Sequence, residues 1–217
     1  HNTKHLSVAF PEAWTMTQQI SDRIALVEAY VRGVFAASDE GAHTYDHTQR
    51  VYRLAIEIGE KMNANLEVLA AAALLHDVGR GRETETGISH AILSARMGQE
   101  VLKRAGYTPE EIEQITDAIR THRFSEGLTP NSLEGKILSD ADKLDAIGAI
   151  GVFRAIAQAA VSGRGIKGFL EHADDKLLRL RDMMYTDVSR ERAQRRHQVL
   201  LTFVQELRTE LESGTSV

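Results

Sequence analysis

The sequence predicts an all-α fold, and three observations carry that expectation. Apolar residues recur at spacings of three and four along most of the chain. Aromatic residues make up only 6% of the 217 residues, too few for a β-sandwich. The prolines are Pro11, Pro109 and Pro130 alone, so long stretches contain no helix breaker.

Residues 1–16 show no periodicity and are expected to form a flexible N-terminal segment. From Thr17 to Ala37 a stripe of Ile20, Ile24, Val27, Val31 and Val34 predicts the first helix, which Gly41 breaks. Capping residues at Thr44 to Asp46 open a second helix, carried to about Asn63 by Val51, Leu54, Ala55 and Ile58. The third, Leu66 to His76, is nearly all apolar and reads as a buried central helix. Asp77 to Gly87 holds three glycines and is expected to be a loop. Ser89 caps a fourth helix ending at Gly106, and Pro109 opens a fifth running to about His122. Further helices are predicted over Ser132–Lys143, Ala146–Ser162, Glu171–Met184 and Ser189–Leu211. No composition break divides the chain, so residues 17–212 are expected to form one domain, with 213–217 a flexible end.

Composition excludes several functions. A net charge of −5 argues against nucleic acid as a partner. With no cysteine, thiolate catalysis, disulfides and Cys-ligated metals are ruled out, and nine histidines leave imidazole and carboxylate to hold any metal. No apolar run approaches the ~20 residues of a membrane span. The N-terminus lacks the basic-then-apolar order of a secretory signal. A cytoplasmic protein without a membrane partner is the expectation.

Five ionisable residues fall on the apolar faces. His47 is four before Val51, and His76 is three after Ala73 and seven after Leu69. His90 precedes Leu93, Ser94 and Met97 by three, four and seven, while His122 follows Ile119, Ala118 and Ile115 by the same offsets. Asp142 is four from both Leu138 and Ala146, and Asp77 adds a carboxylate beside His76. Such offsets share a helix face, so these groups are expected to point inward. Burying them unpaired is costly, on the order of several kcal/mol per charge. A divalent cation compensates, and the donor set suits Mn, Fe, Ni, Co or Zn rather than calcium. A hydrogen-bonded His–Asp network inside a helical core is the alternative. His197, with Leu200, Leu201 and Val204, fits the same template, so helical phase alone does not single out a ligand.

The order His47, then His76-Asp77 within ALLHDVG, then Asp142 within SDADKLDAIGAIG resembles the His…His-Asp…Asp pattern of the HD superfamily of metal-dependent phosphohydrolases. The likeness runs from about Gly41 to Phe203 and includes HTYDHTQRV, EGKILSDADKLDAIGAIG and EHADDKLLRLRDMMYT. The last two segments are similar to those of small single-domain HD hydrolases, and the resemblance implies a compact helical bundle with additional C-terminal helices. It also implies that His47, His76, Asp77 and Asp142 are metal ligands. His90 and His122 match positions that hold a second metal in binuclear branches, where Asp77 bridges the ions. A mononuclear site, with His90 and His122 as outer or phosphate-binding groups, stays open. One or two ions are therefore expected, with Mg admissible beside the transition metals.

The implied substrate is a small phosphorylated molecule such as a nucleotide, attacked by a metal-activated water that Asp77 or Asp142 orients. Cations beside the ligands would balance the phosphate: Arg50, Arg80, Arg82, Arg123 and Lys143. Lys143 and Arg80 lead for catalysis, and Arg50 and His43 join them as substrate-binding candidates. The chain departs from HD nucleotidases that carry a glutamate one turn after His-Asp; here the segment reads VGRGRE, with Glu83 further along. Gly106-Tyr107-Thr108-Pro109 interrupts the contiguous Gly-Tyr-Pro of the cyclic-dinucleotide branch. An HD-fold iron oxygenase and a non-catalytic nucleotide-binding module are the competing functions. The charged tail helices allow packing within the chain or in a homodimer.

Overall fold

Helices and turns account for every element in the computed structural model, which describes residues 12–37, 45–123 and 126–213; no strand occurs among them. The first helix, α1 (Glu12–Ala36), begins before the apolar stripe that predicts it. Residues 12–16 thus belong to this helix. Residues 1–11 and 38–44, with them the candidate His43, lie outside the described residues.

α2 (Tyr45–Met62) buries His47, Val51, Leu54, Ala55 and Ile58, the stripe read from sequence. α3 (Leu66–Leu75) is capped by Asn65, whose side chain accepts from the Val68 amide, and is buried from Val68 to Leu75. The expected glycine loop after it is more ordered: a 3-10 turn, Arg80–Arg82, leads into a single helical turn, α4 (Glu83–Thr86). α5 (His90–Arg104) is capped by Ser89 and stops at Gly106, whose φ of +84° suits the left-handed end of a helix. α6 (Pro109–Thr121) opens with proline inside a capping box in which Thr108 and Glu111 satisfy each other's backbone. α7 (Leu133–Asp145) starts at the Ser132 cap. It turns by 68° into α8 (Gly148–Val161), a corner made at Gly148 with φ +79°.

The tail differs from expectation. In place of one helix over Glu171–Met184, α9 (Gly165–Asp175) starts earlier, and a 3-10 stretch, Leu177–Met183, follows it. Gly163 and Gly165, both at positive φ, make the turn that places this start. α10 (Asp187–Ser213) closes the described chain, taking Ser213 into the helix.

α3 sits at the centre, packed by α1, α2, α5, α6 and α7. α8, α9 and α10 form a second layer, with α10 against α7. Asp140 on α7 ties the two together by accepting from the Tyr185 and Thr186 amides at 2.8 and 2.9 Å. Among the described residues no single helix is long and apolar enough to cross a membrane. This packing directs the start of α2, the C-terminal ends of α3 and α6, the start of α5 and the middle of α7 toward one point.

Candidate metal centre

Six side chains meet there in two groups: His47, His76 and Asp142, and Asp77, His90 and His122. Within each group the potential ligand atoms lie within 4.8 Å of one another. All are buried except Asp142, whose side chain is 34% exposed. Asp77 joins the groups. Its Oδ2 is 3.6 Å from His47 Nε2 and 3.7 Å from His76 Nε2. Its Oδ1 is 3.2 Å from His90 Nε2 and 4.0 Å from His122 Nε2. One carboxylate thus presents an oxygen to each set of imidazoles.

The outer nitrogens explain why every Nε2 faces inward. His76 and His122 occupy the C-terminal ends of α3 and α6, where backbone carbonyls lack helical partners. Each turns Nδ1–H back to the carbonyl three residues earlier, Ala73 at 2.8 Å and Ile119 at 2.5 Å. His47 Nδ1 lies 2.8 Å from Asp145 Oδ2, and His90 Nδ1 lies 3.0 Å from Glu83 Oε2. With Nδ1–H donated to an oxygen, the Nε2 lone pair is left for a cation, the usual arrangement around metal-bound histidine.

The electrostatics agree. Burial pushes the His76 pKa down to about 4 and lowers that of His90, so both rings are neutral at pH 7. Burial also opposes the charged form of His47, but its hydrogen bonds with Asp142 and Asp145 win and raise its pKa. Burial would raise the Asp145 and Glu83 carboxyls. The His47 and Arg50 contacts for Asp145, and those of His90 and Arg123 for Glu83, outweigh it and hold both at about 2. Two anionic carboxylates, Asp145 and Glu83, thus stand behind His47 and His90, and imidazole beside carboxylate is a donor set that fits a divalent cation.

The sequence-predicted cations divide. Arg80 stays at the centre, with Nε 3.6 Å from Asp77 Oδ2 and Nη1 3.0 Å from His90 Nδ1. It also lines a cavity of about 240 Å³ that reaches Asp142 and carries Arg154, His172 and Lys176. Arg50 does not line that cavity; its guanidinium grips Asp145 at 2.7 and 3.1 Å. Lys143 is also directed elsewhere. Its ammonium donates to Ser139 Oγ at 2.9 Å, lies 3.6 Å from Asp140 and sits 4.3 Å over the Tyr185 ring. Successive helical residues diverge by about 100°, so Lys143 points aside when Asp142 faces the centre. Arg123 pairs with Glu83 and Glu126. Arg82 lines a different cavity with Tyr30, Phe35 and Asp77. His197 is buried on α10 and belongs to neither ligand group.

Sequence reasoning missed Asp145, Arg154, His172 and Lys176 and left Glu83 without a task. A signal existed for Asp145, three residues after Asp142 and so one turn along the same face. None existed for Arg154 or Lys176, which the fold brings in from α8 and the segment after α9.

Comparison with known proteins places this geometry. The HD domain profile matches residues 44–147. Protein YpgQ of Bacillus subtilis is 35% identical over 193 residues, spanning 85% of this chain and 92% of its own. The crystal structure of that protein in complex with ADP superposes with a TM-score of 0.74 at 32% identity, covering 88% of this chain and 96% of the other. An HD-superfamily hydrolase from Bacillus thuringiensis gives a TM-score of 0.72 at 27% identity, covering 89% and 98%.

Proposed function

The chain belongs to the HD superfamily, and from that membership we propose that it is a metal-dependent phosphohydrolase acting on a small phosphoester or nucleotide. The observation that carries the reading is the division of Asp77, with one oxygen toward His47 and His76 and the other toward His90 and His122. In this reading His47, His76 and Asp142 would hold one ion and His90 and His122 a second, with Asp77 available to both. Four imidazoles among six ligands favour Mn, Fe, Ni, Co or Zn over Mg.

A bound divalent cation supplies hydroxide at neutral pH and offsets phosphoryl charge. The chain's own residues do the rest. Arg80, at the edge between the centre and the basic cavity, orients a phosphoryl group over Asp77 by charge-assisted hydrogen bonds. Lys176 and Arg154 bring further positive charge to the same cavity wall. Burial opposes the charge on Asp142, but its hydrogen bond with His47 outweighs this and holds it well below the usual carboxylate range. Asp142 therefore stays ionised, and it and Asp77 orient the attacking water. The ADP complex of YpgQ supports a nucleotide as the substrate class.

The test is metal analysis of the purified protein, followed by a panel of nucleotides and phosphorylated metabolites assayed with Mn, Co, Ni, Zn and Mg separately. Divalent metal uptake with release of phosphate or pyrophosphate is expected, and His76→Ala and Asp77→Ala should each lose both. If either variant kept wild-type metal content and hydrolysis, the site would be misplaced.

A further inference from the structure

Asp145 gathers more positive charge than one carboxylate can offset. Its buried oxygens accept from His47 Nδ1 at 2.8 Å, from Arg50 at 2.7 and 3.1 Å, and from Arg154 Nη1 at 2.8 Å. Arg154 Nη1 also reaches the Asp145 carbonyl at 3.2 Å. Two guanidiniums on one anion leave a surplus charge in a poorly solvated place, where a counter-ion is worth most. The two arginines are not equivalent. The Arg50 side chain is 29% exposed and does not line the basic cavity, whereas that of Arg154 is 14% exposed and does. Arg154 Nε is buried with no hydrogen-bond partner. Gly151, Ala155 and Gln158 line the cavity with it from the same stretch of α8, and the first two are small enough to leave its guanidinium accessible.

We propose that Arg154 serves two ligands at once. One edge of its guanidinium fixes Asp145 and, through it, the metal ligand His47, while the remainder receives an anionic oxygen of the substrate in the cavity. The proposal rests on the phosphohydrolase reading and deepens it by linking the anion site to the metal site. Arginine suits such a task because its planar fork carries several donors in fixed directions, where lysine presents a point charge. Toward Asp145 and His47 Arg154 is a positioning residue; toward the phosphoryl group it is a binding residue.

Two affinities test this: that for Mn²⁺ without added anion, and that of the Mn²⁺-loaded protein for inorganic phosphate, both by titration calorimetry. Arg154→Gln should weaken Mn²⁺ binding roughly tenfold or more, as loss of a supporting partner does. It should also weaken phosphate binding by about tenfold or more, as loss of a charge-assisted hydrogen bond does. Lys176→Gln, at the same cavity but without contact to Asp145, should weaken phosphate alone. Arg154→Lys keeps the charge and loses the fork, so it should recover phosphate affinity but not Mn²⁺ affinity. Wild-type Mn²⁺ affinity in Arg154→Gln would reduce the residue to a cavity cation. Wild-type phosphate affinity would reduce it to a structural clamp, and either result overturns the proposal. Should Arg154→Gln fail to fold, Arg154→Lys decides the matter, and wild-type affinities for both ligands would overturn it. A wild-type protein that binds neither Mn²⁺ nor phosphate would overturn the hydrolase reading itself, before any variant is made.

Discussion

At the centre each histidine commits Nδ1 to an oxygen, and the kind of oxygen differs between them. His76 and His122 use backbone carbonyls that the helix ends leave unmatched, so their orientation follows from the fold and no single side-chain substitution removes it. His47 and His90 depend on the carboxylates of Asp145 and Glu83. That difference makes the two groups separately addressable. Glu83→Gln keeps an acceptor near His90 but removes the charge that raises ligand basicity. The affinity of the His90–His122 group should fall about 10–100-fold while the His47–His76 group keeps its ion. In the binuclear reading the variant should therefore bind one ion where the wild type binds two, when both are equilibrated at a free Mn²⁺ concentration that just fills the wild-type sites and are measured by elemental analysis. An unchanged stoichiometry of two would show that Glu83 does not support a metal ligand.

At the scale of elements, the site depends on how the turn after α3 lies against α5. Gly79 donates its amide to Ser94 Oγ at 2.9 Å, and a Cβ added there would stand 2.6 Å from both Leu93 Cβ and the Ser94 amide nitrogen. Gly79→Ala therefore forces α5 outward and takes His90 with it. A loss of about 1–3 kcal/mol in unfolding free energy is expected from this overpacking. It should be accompanied by weakened metal binding, and urea unfolding alongside metal titration would measure both. Wild-type stability would mean that the turn has room the geometry denies. This contact also marks where sequence reading stops. The apolar stripes of α2, α3, α5 and α6 were legible because each helix buries one face, and that same phase turned His47, His76, His90 and His122 inward. Lys143 points toward Ser139 and Asp140 instead of the centre, because adjacency in sequence is divergence around a helix. Asp145 left a trace in its spacing from Asp142, but Arg154 and Lys176 meet the site only across a cavity that the fold builds, and local spacing carries no trace of that.

Across the whole molecule, the candidate ligands bring distant parts of the chain to one point. His47 comes from α2, His76 and Asp77 from the end of α3, His90 from α5, His122 from the end of α6 and Asp142 from α7. Unfolding separates all of them, so a cation held by this set binds the native state far better than the unfolded chain. At a free metal concentration one hundred times Kd, that preference adds about 2.7 kcal/mol of stability for each site. For a domain of this size each kcal/mol moves the midpoint by roughly 2–4 °C. Removing metal with a chelator should therefore lower the thermal midpoint by about 5–11 °C per site lost, and restoring Mn²⁺ should return it. His76→Ala should abolish the share of the shift that its own site contributes, because that site loses a ligand while the α3 core stays apolar and packed. A chelator-insensitive midpoint in a protein shown to contain metal would mean that the ion binds outside this cluster. The charged interior of the bundle would then be a hydrogen-bonded network in its own right, stable without a cation.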